Sequence, residues 1–82
     1  MPFADLTGRI AIVTGGAGAL GRATNRALLD AGATVITTDT HGHGMRDLAA
    51  SLPDDLRPRL LTVEADITTE DGAATVVRSA TE

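Results

Sequence analysis

Apolar residues along this chain fall into short blocks with two different periods. Arg9-Ile-Ala-Ile-Val-Thr14 is an apolar run rich in β-branched residues, with Thr7-Gly8 before it and glycines after it. Such a run predicts a strand buried on both faces. The next stretch, Gly15-Gly-Ala-Gly-Ala-Leu-Gly21, holds too much glycine for a helix interior. From Leu20, apolar or small residues recur at Ala23, Ala27, Leu28 and Ala31, with Arg22, Asn25, Arg26 and Asp30 on other faces. That is the spacing of an amphipathic helix. Gly32 ends it, because glycine takes the left-handed conformation of a helix terminus. Thr34-Val-Ile-Thr-Thr38 predicts a second strand on its β-branched content, with Asp39 at its C-terminal end.

Thr40-His-Gly-His-Gly44 reads as a loop. Met45, Leu48, Ala49 and Leu52 stand at i, i+3, i+4 and i+7, so a short helix follows, and Pro53 ends it. Pro53 to Arg59 is a polar connection. Leu60-Leu-Thr-Val-Glu-Ala65 predicts a third strand with Asp66 at its tip. Thr68 with Asp71 three residues later resembles a capping box, and Ala73, Val77 and Ala80 share one face of a last helix beginning near Thr69. The order β-α-β-α-β-α implies a parallel sheet with right-handed crossovers and strand order 3-2-1. This is an α/β, Rossmann-type arrangement: the N-terminal half of a doubly wound fold, filling residues 1–82 as one partial domain.

Composition narrows the partners. The 82 residues are 43% hydrophobic and 22% charged, a globular balance. A net charge of −4 with no basic cluster excludes a nucleic-acid or anionic-membrane footprint. The apolar runs are far too short to span a bilayer, and Met1-Pro-Phe-Ala-Asp5 lacks the blocks of a signal peptide, so a cytoplasmic protein is expected. The absence of cysteine excludes disulfides and thiolate metal sites. His41 and His43 flank Gly42 near Asp39, but no third and fourth ligand stands at suitable spacing, so no metal is expected. Arg57 and Arg59 read as solvated residues around Pro58, and Arg22, just inside the first helix, as a surface residue, with approach to a phosphate as the alternative.

The glycine stretch carries the candidate chemistry. It fits a dinucleotide fingerprint in two registers: Gly16-x-Gly18-x-x-Gly21, and Thr14-Gly15-x-x-x-Ala19-x-Gly21. Both serve the same end, since a pyrophosphate needs backbone N–H donors at close range and a Cβ would stand in the way. The first helix adds partial positive charge at its N-terminus. Asp39 lies 18 residues after Gly21, near the spacing of a ribose-binding acid. A carboxylate there accepts hydrogen bonds from the ribose hydroxyls and repels a 2′-phosphate. Its neighbours Thr38 and Thr40 bring no cation, so NAD is preferred over NADP. A purely local role, capping its own loop, is the alternative for Asp39.

Thr7 through Arg22, with Asp39 and Ala65-Asp-Ile-Thr68, resembles the N-terminal part of a short-chain dehydrogenase/reductase, over nearly the whole chain. The resemblance implies that Gly15, Gly18, Ala19, Leu20 and Gly21 face the pyrophosphate and adenosine end of the cofactor. It implies that Asp66 and Ile67 contact adenine; the alternative for Asp66 is a cap on the turn before the last helix. Ala19 stands where the family most often has glycine. Gly18 also satisfies the pattern of the family's extended branch, so the branch stays open, although Leu6 to Gly21 looks more like the single-domain one.

The family's hydride transfer between a nicotinamide and an alcohol or carbonyl carbon uses Tyr, Lys and Ser. This chain has no Tyr and no Lys, and neither Ser51 nor Ser79 maps to the catalytic position. Nor does it hold the family's Asn-Asn-Ala-Gly segment, Asn25 being its only Asn. No catalytic residue is assigned, and the 82 residues are expected to be inactive alone, as a truncated product or fragment. Two other readings compete: a stand-alone nucleotide-binding module, and a remnant without function. Ile10, Ile12 and Leu60 or Leu61 are expected to lack partners, which would favour self-association through the sheet's open edge and face.

Overall fold

The computed structural model describes residues 5–81. Its elements are β1 (Ile10–Thr14), α1 (Ala19–Asp30), β2 (Thr34–Asp39), α2 (Gly42–Ser51), a 3₁₀ turn (Arg57–Arg59), β3 (Leu60–Glu64) and α3 (Glu70–Thr81). The strands form one sheet in the order β1-β2-β3, and both pairings are parallel. Fold class and strand order are therefore those read from the alternating periods.

Successive strand residues face opposite sides, which sorts the core. Val13 and Val35 pack with Leu29, Ala33, Leu52 and Leu56 into the main buried cluster, at the ends of α1 and α2. On the other side, Ile12, Ile36 and Leu61 form one row by register. Only its centre is covered: Ile36 is 3% exposed, against 43% for Ile12 and 47% for Leu61. α3 lies against β1 and β2, and Val76 is its buried residue. β1 is thus not buried on both faces as its composition predicts, because α3 alone covers this side among the described residues.

The inward face of α1 also differs from the expected one. Its buried residues are Gly21, Asn25 and Leu29, while Leu20 is 82% exposed and Ala23 and Ala27 face solvent. Hydrophobicity misassigns the face because a glycine and an asparagine occupy two of its three contact positions. The helix does end at Gly32, whose φ is +102°.

α2 begins at Gly42, inside the stretch expected to be loop. Helix propensity disfavours glycine there, and what it meets is the end of an exposed side chain, that of Glu64. A Cβ on Gly42 would stand 2.6 Å from both Glu64 carboxylate oxygens. The Pro53–Arg59 connection is less polar than it reads, since Leu56 is 6% exposed. Arg57 and Arg59 also have structural work: Arg57 donates to the Ala49 and Leu52 carbonyls at the end of α2, and Arg59 donates to Ala33 O at 2.7 Å.

At α3 the cap is Thr69 rather than Thr68. The Thr69 hydroxyl accepts the Gly72 N–H at 3.0 Å, whereas Thr68 is turned toward Asp66. The buried position is Val76, and Val77 is 56% exposed, so the Ala73-Val77-Ala80 face is displaced by one residue.

Candidate functional site

The loops that follow all three strands meet at the carboxyl edge of the sheet, where open α/β sheets take their ligands. After β1 the chain reverses at Gly15 (φ +65°), runs through Gly16, Ala17 and Gly18, and enters α1. Gly21 decides how closely α1 approaches this loop. A Cβ on it would lie 2.2 Å from Gly15 O and 2.8 Å from Gly16 Cα. The fully buried Asn25 donates from Nδ2 to Gly16 O at 3.3 Å, and the Gly16 N–H donates to Thr38 O at 3.0 Å. The loop is therefore tied to both the helix and β2.

Its backbone groups sort into committed and free. Gly16, Ala17 and Gly18 N–H all have acceptors within the protein: Thr38 O, Asp39 Oδ2 and Gly15 O. The first intrahelical bond runs from Arg22 N–H to Gly18 O. Ahead of it, the amides of Ala19, Leu20 and Gly21 have no acceptor outside α1 among the described residues. No side chain caps this helix and no acid lies in its first turn. The nearest carboxylate, Asp39, bonds the Ala17 N–H ahead of the helix rather than these amides, which leaves them open to an anion.

Asp39 is the last residue of β2 and stands beside this loop. Its Oδ2 accepts the Ala17 N–H at 3.0 Å. Its Oδ1 accepts the His41 N–H at 3.1 Å and lies 3.0 Å from His41 Nδ1. The hydrogen bond from the His41 ring, then the backbone bonds from His41 and Ala17, hold this carboxyl down at about 2. Asp39 is thus ionised at neutral pH. A carboxylate has about four acceptor positions; three are filled here, one of them by an imidazole that is 81% exposed and free to swing away.

Asp66 follows β3. Its Oδ1 accepts the Thr68 hydroxyl and the Thr68 N–H, and these bonds lower its pKa, the hydroxyl contributing most. The second oxygen has no donor among the described residues. Both acids therefore do cap their own turns, the local role the sequence also allowed, and each keeps acceptor capacity toward the cleft.

Two hollows open here and share Gly15 and Asp39. One, of about 200 Å³, is lined by Gly15, Thr38, Asp39, Ala65, Asp66 and Ile67 among others. The second, of about 700 Å³, is bounded by Gly15, Ala17, Gly18, Asp39 and His41 to Gly44. Of the residues singled out in the sequence, Gly15, Gly18, Asp39, Asp66 and Ile67 line these hollows. Ala19, Leu20 and Gly21 do not; they carry the three free amides at the start of α1.

Ala17 belongs to the arrangement and escaped the sequence reading, while Arg22 and His41, weighed there only for other roles, hold the loop and Asp39 through hydrogen bonds. The signal for His41 was present: Asp39-x-His41 and Asp66-x-Thr68 share the two-residue spacing at which an aspartate accepts its own downstream N–H. Among the described residues no group of three His, Cys, Asp or Glu side chains gathers as a metal site, and no helix is long and apolar enough to cross a membrane.

A parallel α/β sheet with a glycine loop and an acid at its carboxyl edge defines a Rossmann-type domain. Comparison with known proteins makes this specific. The short chain dehydrogenase family model matches residues 9–82, and the chain belongs to that family. It is 44% identical over 69 residues to the short chain dehydrogenase/reductase dpchG of Colletotrichum higginsianum, a match covering 80% of this chain and 24% of the relative. It is 41% identical to the cis-4-hydroxycyclohexanecarboxylate dehydrogenase of Sinomonas cyclohexanicum, over 84% of this chain and 27% of that enzyme. Among solved structures, the 3-ketoacyl-(acyl-carrier-protein) reductase of Brucella melitensis complexed with NADH superposes with a TM-score of 0.80 at 27% identity, covering 92% of this chain and 29% of that one. The chain thus spans about a quarter of the length of these curated relatives.

Proposed function

We propose that this chain binds the adenosine diphosphate half of a nicotinamide dinucleotide, as the N-terminal part of an oxidoreductase acting on alcohol or carbonyl substrates. The free amides of Ala19, Leu20 and Gly21 hold the pyrophosphate, with Gly15 and Gly18 leaving room for it. Asp39 accepts from the ribose hydroxyls, taking its fourth acceptor position and the one His41 vacates. Asp66 and Ile67 receive the adenine, the free carboxylate oxygen accepting from the exocyclic amino group and the Ile67 side chain packing on the ring. When bound, the dinucleotide supplies or accepts hydride; this chain's residues anchor its far end. The family's Tyr and Lys have no counterpart among the 82 residues, so binding without turnover is the activity expected of the chain alone.

The observation that carries this reading is that three unclaimed amides at the start of α1 and an ionised carboxylate at the end of β2 flank the same glycine loop, at the carboxyl edge of the sheet. It also favours NAD over NADP. A 2′-phosphate would meet the Asp39 charge, and like charges at contact distance cost several kcal/mol at an effective dielectric near 20, roughly the value suited to a protein rim. Calorimetric titration with NAD and NADP tests it. Saturable NAD binding, at least about tenfold tighter than NADP and lost in Asp39→Ala, is expected. Equal affinity for the two, or binding indifferent to Asp39→Ala, would refute it.

A further inference from the structure

The sequence offers Arg22 a surface role or an approach to a phosphate, yet its side chain is committed to backbone carbonyls. Nε donates to Ala17 O at 3.0 Å, and the terminal Nη2 donates to Gly44 O at 2.9 Å. Ala17 belongs to the glycine loop and Gly44 to the first turn of α2. No carboxylate pairs with Arg22 among the described residues, whereas Arg26 and Arg57 are paired with Asp30 and Asp54. A guanidinium spent on two neutral carbonyls, on two different elements, acts as a tie between them.

The tie completes a ring. The Ala17 N–H is held by Asp39, and Asp39 in turn holds His41, which precedes α2. The Ala17 carbonyl is held by Arg22, which reaches back to α2 at Gly44. One residue of the loop is therefore gripped on both sides of its backbone by charged side chains, one anionic and one cationic. Gly44 allows the approach: a Cβ there would stand 3.0 Å from the Ala17 Cβ. Lysine could not replace this residue, because one ammonium on a flexible stem lacks the planar fork that spans two acceptors.

We propose that Arg22 is a positioning residue, fixing the glycine loop to α2 and so setting the separation between the α1 amides and Asp39. Its consequence for affinity rests on the dinucleotide reading above; its consequence for the loop does not. The two are separated by measuring amide hydrogen exchange by NMR, and NAD affinity by calorimetry, on the wild type, Arg22→Met and Arg22→Lys. In both variants the Ala17 and Gly18 amides exchange about tenfold faster or more, while those of Leu29 and Val35 keep their protection. NAD affinity falls about tenfold in both. Unchanged exchange at Ala17 and Gly18 overturns the proposal whatever the affinities. Full rescue by lysine overturns it too, by showing that charge rather than the bridge matters. A loss of protection that extends equally to Leu29 and Val35 assigns Arg22 to general stability and counts against positioning. A wild type that binds no NAD refutes the dinucleotide reading, and the exchange data still decide whether Arg22 holds the loop.

Discussion

Replacing Gly21 with alanine sets two forces against each other. The change adds one methyl group to the first turn of α1, where helix propensity favours alanine by about 1 kcal/mol. Built on this backbone, the methyl lies 2.2 Å from Gly15 O and 2.8 Å from Gly16 Cα. Non-bonded carbons settle near 3.5–4.0 Å, so the gap must open by roughly 1 Å. The loop cannot withdraw toward β2, because Gly16 already abuts Thr37; a Cβ on Gly16 would overlap the Thr37 hydroxyl. The helix must lift instead, and the fully buried Asn25 and Leu29 lift with it. Overpacking costs about 1–3 kcal/mol, and the upper end applies because the obstructing atoms are backbone. Subtracting the propensity gain leaves a net loss of about 2 kcal/mol. In a domain of this size each kcal/mol is worth about 4–8 °C, so the melting temperature falls by about 8–16 °C. Thermal unfolding followed by circular dichroism measures it. A Gly21→Ala protein that melts at or above the wild type would show that α1 is not seated on the loop, and the geometry behind the proposed pyrophosphate site would go with it.

Gly18→Ala serves as the contrast: its Cβ would meet only Gly15 O, at an ordinary 3.5 Å, so melting stays within about 2 °C of wild type while NAD titration shows weaker binding. Asp39 titrates near 2 instead of 3.8, so its bonds to His41 and Ala17 contribute fully above pH 3.8 and are lost as the pH falls through about 2. Carboxyl ¹³C NMR reads that midpoint; His41→Ala moves it back up, and a wild-type midpoint at 3.8 contradicts the hydrogen-bonded geometry. Thr69→Ala removes the α3 cap and costs about 1 kcal/mol in urea unfolding, more than Thr68→Ala; the reverse ranking would restore the Thr68–Asp71 capping box.

The strands, their order and the glycine loop were legible because each rests on a strong local signal. β-branched runs mark β1, β2 and β3, and glycine excludes helix between residues 15 and 18. The position of Asp39 at a strand end followed directly. What misled was the assumption that the inward face of a helix is its most apolar one. On α1 a glycine admitted for its size and an asparagine bonded to Gly16 O outcompete Leu20 and Ala23 for the sheet. The start of α2 was hidden because Gly42 and Gly44 read as breakers, yet both lie inside the helix, and Gly44 sits close against Ala17. The bridge made by Arg22 was not legible because its partners are backbone carbonyls, which no side-chain pattern reports.

The two ends of the sheet are built from different material. The apolar cluster of Val35, Leu29, Ala33, Leu52 and Leu56 gathers where α1 and α2 finish, and only its Val13 reaches toward the glycine loop. Beneath the glycine loop lie the buried polar residues Asn25, Thr37 and Thr38, each with one side-chain oxygen that finds no partner among the described residues. Such atoms forgo water without full compensation, so that end is the looser one. Thermal opening should begin at the mouth and stop at the greasy floor. A domain graded in this way can exchange the residues of its mouth, and with them its taste in ligands, while its foundations remain undisturbed.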